Sequence, residues 1–137
     1  MELNKDFKEF IELLNAHNVR YLVVGGYAVN FHGYPRYTRD IDLWIWLDSE
    51  NIEKLIRAVK GFGFSSLELT VSDFSNPEDI IQLGYEPNRI DLLVDIEGVR
   101  FNDCFARKEI AELEKVPVNF ISLDDLITAK TKTGRLQ

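Results

Sequence analysis

Val23-Val24-Gly25-Gly26-Tyr27-Ala28, followed by Arg39-Asp40-Ile41-Asp42-Leu43-Trp44-Ile45, is the stretch on which the reading of this chain turns. A β-branched run ends on a diglycine, and fourteen residues after Gly26 an Asp-x-Asp pair opens a second apolar run. Side chains on a strand alternate faces, so Asp40 and Asp42 project from the same side. Neighbouring carboxylates repel unless a cation lies between them. A divalent metal meets that need, and backbone N–H groups left open by glycines suit a phosphate chain. The compound pattern points to metal-assisted transfer chemistry on phosphates.

The rest of the composition narrows the class. A length of 137 residues fits a single domain spanning 1–137 with a real core. No apolar run approaches the roughly 20 residues needed to cross a bilayer. The opening Met1-Glu2-Leu3-Asn4-Lys5-Asp6 lacks the basic and apolar regions of a signal peptide. Cys104 is the single cysteine, so no internal disulfide forms, which fits a reducing, cytoplasmic setting. A net charge of −7 argues against a surface that grips nucleic acid all over. The segment from His32 to Arg39 is a local exception, with Arg36 and Arg39 and no acid.

Periodicity gives the outline. Phe7, Phe10, Ile11, Leu13 and Leu14 form a helical stripe, predicting a helix from about Leu3 to His17 with Asn18 as its stop. Arg20 to Val24 reads as a strand, and Tyr27 to His32 as a short helix after the diglycine. Asp40 to Leu47 reads as the second strand. Ser49 is the expected N-cap of a helix over Glu50–Gly61. Residues 65–79 carry turn chemistry without a clear element. Ile80–Leu83 and Arg89–Ile96 read as strands of an antiparallel hairpin. Phe101–Arg107 reads as a turn or two of helix. Residues 110–113 and 116–121 form a last hairpin, with Pro117 placing its final strand at a sheet edge. Ser122 and Asp125 have the spacing of a capping box at the start of a final helix.

A site holding two metals needs a third carboxylate. Asp91, flanked by Ile90 and Leu92, is the candidate, because an unpaired acid on an apolar strand is costly. The competing reading of Asp91 is a salt bridge to Arg89 or to an arginine of the 36–39 loop. Asp95 faces the same side of the predicted strand about 13 Å further along, too far to join one compact site. Trp44 and Trp46 share the face of the aspartates, either as packing or as a stacking wall for a base. His17 and His32 are too isolated for a zinc site, and His17 reads as a helix-end residue. No serine sits in a nucleophile elbow, and no Walker A or Rossmann glycine pattern occurs.

These blocks resemble the nucleotidyltransferase superfamily of the DNA polymerase β type. The likeness is carried by Val24-Gly25-Gly26-Tyr27-Ala28-Val29, Tyr37-Thr38-Arg39-Asp40-Ile41-Asp42-Leu43, Arg89-Ile90-Asp91-Leu92-Leu93 and residues 118–126. Within it, the chain is similar to the minimal bacterial branch of abortive-infection and toxin–antitoxin nucleotidyltransferases. The resemblance implies an α/β (α+β) fold, a mixed β-sheet flanked by helices. It implies transfer of a nucleoside monophosphate from a nucleoside triphosphate to a hydroxyl of RNA, protein or a small molecule, with release of pyrophosphate. Asp40 and Asp42 would then bind Mg²⁺ or Mn²⁺. Asp91 would bind the metal beside the acceptor and help deprotonate it. Gly25 and Gly26 would hold the triphosphate. Arg36 and Arg39, placed between the glycines and the aspartates, are read as a phosphate clamp. An antitoxin partner is a further implication, and a non-catalytic relative that keeps the fold is the alternative. Many superfamily members carry Gly-Ser where this chain has Gly25-Gly26, as in the toxin-like branch. Relatives usually continue with further helix after the position of Asp125, so a missing C-terminal helical extension is also expected.

Overall fold

Local chemistry sets most element ends in the computed structural model, which describes residues 3–34, 38–63, 68–85 and 88–133. The Asn4 side chain accepts the Asp6 N–H at 2.8 Å and caps α1 (Lys5–Ala16), and Asn18 ends that turn with a φ of 57°. β1 (Tyr21–Val24) runs straight into α2 (Gly25–Phe31), which starts at the first glycine rather than at Tyr27. β2 (Ile41–Ile45) is shorter than predicted. Asp48, not Ser49, caps α3 (Ser49–Gly61), its carboxylate accepting the Asn51 N–H at 3.3 Å. A carboxylate answers the positive end of a helix more strongly than a hydroxyl does. The segment left open in the sequence contains a 3₁₀ turn at Val71–Phe74, and residues 64–67 lie outside the described residues.

The remaining elements are β3 (Ile81–Leu83), β4 (Ile90–Leu93), α4 (Phe101–Ala106), β5 (Glu109–Leu113), β6 (Val116–Phe120) and α5 (Leu123–Thr133). The six strands form one mixed sheet in the order β3-β4-β2-β1-β6-β5. β1 and β2 are antiparallel, β2 and β4 parallel, β3 and β4 antiparallel, and β1 and β6 parallel. The expected mixed sheet flanked by helices is therefore present. The hairpin turn after β5 has both central residues at positive φ, Glu114 at 49° and Lys115 at 71°, matching the right-handed twist of the strands.

Two strand expectations are corrected. β6 is internal, because β5 takes the edge. Pro117 is tolerated there because the β1 pairing reaches β6 at Phe120, leaving Pro117 beyond that ladder, while its carbonyl accepts the Asn15 amide at 2.8 Å. β4 stops at Leu93 rather than Ile96, where its pairing with β2 ends at Trp44↔Leu93. Asp95 thus belongs to the following loop, and the argument that spaced it from Asp91 along a strand does not apply.

The two sheet faces differ in cover. Tyr21, Val23, Leu43, Ile45 and Leu92 project to one face, where α1, α2 and α3 pack. Phe7 meets Tyr27 edge-on at 5.5 Å, Phe10 meets Phe62 at 5.3 Å, and Phe31 stacks on Phe120 at 4.0 Å. Leu22, Val24, Asp42, Trp44, Asp91 and Leu93 project to the other face. Its Trp44 end is covered by α4, with Phe101 edge-on to Trp44 at 5.3 Å and stacked on Trp46 at 5.5 Å. The tryptophans are packing residues. At the start of α5, the Ser122 hydroxyl accepts the Asp125 N–H at 3.1 Å, which is half of a capping box. The Asp125 carboxylate does not complete it. That side chain instead takes a bidentate pair from Arg107 at 2.9 and 3.0 Å, tying α5 to the end of α4. Among the described residues no helix is long and apolar enough to cross a membrane.

Candidate active site

Register brings the acids together. Val24 pairs with Asp42 across β1 and β2, and Asp42 pairs with Asp91 across β2 and β4. Residues opposite each other on neighbouring strands share a face. Asp42 and Asp91 are therefore adjacent although 49 residues apart in sequence. Asp40, two residues before Asp42, lies at the entrance of β2 on the same side. Asp91 is buried, with 7% of its surface exposed.

Burial and the nearby Asp91 carboxylate push the Asp42 carboxyl up to about 6, with Asp40 adding to the rise and the Arg89 guanidinium opposing it. The sign of the consequence follows from a raised acid. The native state binds the proton more tightly than the unfolded chain does. That stabilisation is complete below the ordinary value of 3.8 and is lost as pH rises through about 6. A divalent cation bound at these carboxylates would compete with the proton for the same oxygens. The rise in melting temperature on adding Mg²⁺ is therefore expected to be small below pH 5 and to grow through about 6 to 7. Scanning calorimetry across that range checks it, and a metal effect independent of pH would contradict it.

Arg89 is the cation among these acids. Its Nε donates to Asp91 Oδ1 at 2.7 Å and its Nη2 to Asp91 Oδ2 at 3.1 Å. The same Nη2 lies 3.1 Å from Asp40 Oδ2, and the Arg89 backbone N–H donates to Asp40 Oδ1 at 3.3 Å. The Arg89–Asp91 pair was legible from i, i+2 spacing on a strand. The link to Asp40 was not, because it arises from the β2–β4 register.

The glycines are explained by close approach. Gly25 has a φ of 66°, and a Cβ there would collide with the Asp42 carboxylate. A Cβ on Gly26 would come within 2.9 Å of the Thr38 hydroxyl, which itself donates to the Asp40 carbonyl at 3.0 Å. Both glycines thus let the aspartate-bearing segment pack against the start of α2. Arg39 is exposed in that segment, and Arg36 lies outside the described residues.

A cleft of about 500 Å³ opens from Val24, Gly25 and Asp42. Leu93, Ile96, Ile121, Leu126 and Ala129 give it an apolar lining, with Asp95, Glu97 and Lys130 among its polar residues. A cleft of this size accommodates a nucleotide-sized molecule. Asp95 lines it without joining the Asp42–Asp91 pair in register. Lys130 had no distinguishing signal in the sequence, sitting in an ordinary basic helix end. His32 is taken up elsewhere, its Nε2 2.8 Å from the Ile121 carbonyl oxygen.

Among the described residues no three His, Cys, Asp or Glu side chains are already gathered into a metal cage. The donor set nevertheless fits a hard divalent cation. Asp42 and Asp91 offer paired carboxylate oxygens whose mutual repulsion a cation relieves, and the guanidinium already present shows that positive charge is accommodated there.

A mixed sheet with carboxylates on adjacent parallel strands, beside a glycine turn that opens a helix, defines an α+β nucleotidyltransferase-type protein. The chain belongs to the family described as nucleotidyl transferase of unknown function (DUF2204), whose profile matches residues 3–137. Nucleotidyl transfer is the general activity that this family description names. Two solved structures share the fold. One is TM1012 of Thermotoga maritima, provisionally named a nucleotidyltransferase, at 21% identity and a TM-score of 0.66 over 95% of this chain and 83% of that one. The other is the lincosamide antibiotic adenylyltransferase LnuA with bound lincomycin, at 16% identity and a TM-score of 0.54 over 92% of this chain and 84% of that one. No curated protein sequence matches the chain.

Proposed function

We propose that the chain is a metal-dependent enzyme that moves a nucleoside monophosphate from a nucleoside triphosphate to a hydroxyl acceptor. The observation that carries this is the placement of Asp42 directly opposite Asp91 on one open sheet face, with the Asp42 carboxyl pushed up to about 6. Such crowding of like charge is costly unless it serves a cation.

Asp40, Asp42 and Asp91 would hold Mg²⁺ or Mn²⁺, which when bound neutralises phosphate charge and favours in-line displacement. Gly25 and Gly26 would offer backbone N–H groups to the triphosphate. Asp91 would take the acceptor proton. The acceptor oxygen bonds to the α-phosphorus, the bond from that phosphorus to the bridging oxygen breaks, and pyrophosphate leaves. Arg36 and Arg39 would clamp phosphate. The nucleoside would lie in the cleft against its apolar lining. The acceptor class we retain is RNA, a protein side chain or a small molecule. A cytoplasmic setting and an antitoxin partner are parts of the same proposal, resting only on the resemblance of the sequence blocks to toxin–antitoxin nucleotidyltransferases.

The test is a melting series with each of the four nucleoside triphosphates, with and without Mg²⁺. A ligand at 100 times its Kd stabilises the native state by about 2.7 kcal/mol. One triphosphate is expected to raise the melting temperature in a metal-dependent way. Arg36→Ala and Arg39→Ala are expected to weaken that effect and its salt dependence. No stabilisation by any triphosphate would refute the proposal, and unchanged salt dependence would remove the clamp. A second reading, a non-catalytic nucleotide- or partner-binding relative, is favoured by one observation. The Arg89 guanidinium already bridges Asp40 and Asp91 and offsets part of their charge.

A further inference from the structure

Asp91 is too buried to stand unpaired, and the chain supplies a cation of its own. The Arg89 Nη2 lies 3.1 Å from an oxygen of Asp91 and 3.1 Å from an oxygen of Asp40. One nitrogen therefore occupies the point that joins two of the three carboxylates read as metal ligands. A Mg²⁺–oxygen contact is about 2.1 Å. Each carboxylate would have to close by only about 1 Å for a metal to take that nitrogen's place, given the 3.1 Å separations. Guanidinium and a divalent cation cannot share the point. They repel each other and draw on the same oxygen lone pairs. The Arg89 side chain is 24% exposed, against 10% for that of Asp91, so the arginine has a path outward that the acid lacks.

We propose that Arg89 is a built-in counter-ion of the carboxylate centre. It holds Asp40 and Asp91 in place while metal is absent, and its withdrawal is the step that sets how tightly the centre takes a divalent cation. This rests on the reading of Asp40, Asp42 and Asp91 as metal-holding residues. Arg89 is a positioning residue in this role, acting on the ligands and not on the reacting atoms. Its fork matters as well as its charge, because Nε and Nη2 engage both oxygens of Asp91 at once.

The experiment is a Mn²⁺ titration of the full chain, followed by calorimetry and by the loss of the free-ion electron spin resonance signal. Wild type, Arg89→Gln and Arg89→Lys are compared, each also melted with and without Mg²⁺. Arg89→Gln is expected to melt below wild type without metal, since Asp91 loses its partner. It is expected to bind Mn²⁺ about tenfold more tightly, a change of about 1.4 kcal/mol. Mg²⁺ should raise its melting temperature more than that of wild type, one cation standing in for another. Arg89→Lys keeps the charge without the fork and is expected to fall between the two. It keeps the test decisive if the glutamine variant does not fold. Wild-type Mn²⁺ binding that neither variant improves would overturn the role of Arg89 alone. An absence of Mn²⁺ binding in all three proteins would overturn the metal-holding centre itself, and this inference with it.

Discussion

Asp42→Asn is expected to abolish nucleotidyl transfer while leaving the fold intact. The amide is nearly isosteric with the acid and sits in the same register opposite Asp91. It removes a charge that burial and Asp91 already disfavour, as the carboxyl pushed up to about 6 indicates. The melting temperature at neutral pH should therefore hold or rise. Transfer is a different matter, because a hard divalent cation requires the anionic oxygen. A loss on the order of 10³-fold or more is expected, the scale seen when a group acting on transition-state charge is removed. Following labelled nucleoside monophosphate from each triphosphate onto the acceptor measures it. Retained transfer in this variant would end the enzymatic reading as stated. Weaker triphosphate binding in the absence of metal would also count against it, since losing a negative charge should leave that binding unchanged or improved.

Gly25→Ala is expected to be strongly destabilising. A non-glycine residue at a φ of 66° pays about 1–2 kcal/mol for the left-handed conformation. Its Cβ must also displace the Asp42 carboxylate, so the total loss should reach about 2 kcal/mol or more. Denaturant unfolding reads the stability, and Mn²⁺ affinity reads the displaced carboxylate. Combining Gly25→Ala with Asp42→Gly separates the causes. The steric share should disappear in the double variant while the backbone share remains, giving a favourable coupling in the cycle. Additive effects would mean that Gly25 and Asp42 do not compete for the same space.

Much of this architecture was legible because it rests on local rules. The diglycine, the two-residue spacing of Asp40 and Asp42, and the apolar run around Asp91 each announce their structure within a few residues. Caps were harder. Asp48 and Ser49 are both good caps, and the electrostatic advantage of the carboxylate decides between neighbours. Long-range pairing was not legible. Pro117 argued for an edge, yet β5 lies outside β6, and nothing near Pro117 records how far β1 extends. The end of β4 at Leu93 likewise depends on where its partner β2 stops. The charge centre shows the same division. Pairing of Arg89 with Asp91 follows from alternation along one strand. The bridge from Arg89 to Asp40 exists only once two distant strands lie side by side.

Both tryptophans of the chain, Trp44 and Trp46, lie against the single ring of Phe101. Trp44 is also only two residues from Asp42 and directly beside Leu93, which lines the cleft. The molecule thus carries an intrinsic optical probe with no indole elsewhere to dilute it. Emission excited at the indole band reports on one location, the ground between α4 and the carboxylates. A ligand that shifts β2 or β4 there alters the signal without any label. Separation of α4 from the sheet would bring both indoles into water and move their emission to the red, giving a direct optical view of this layer during unfolding.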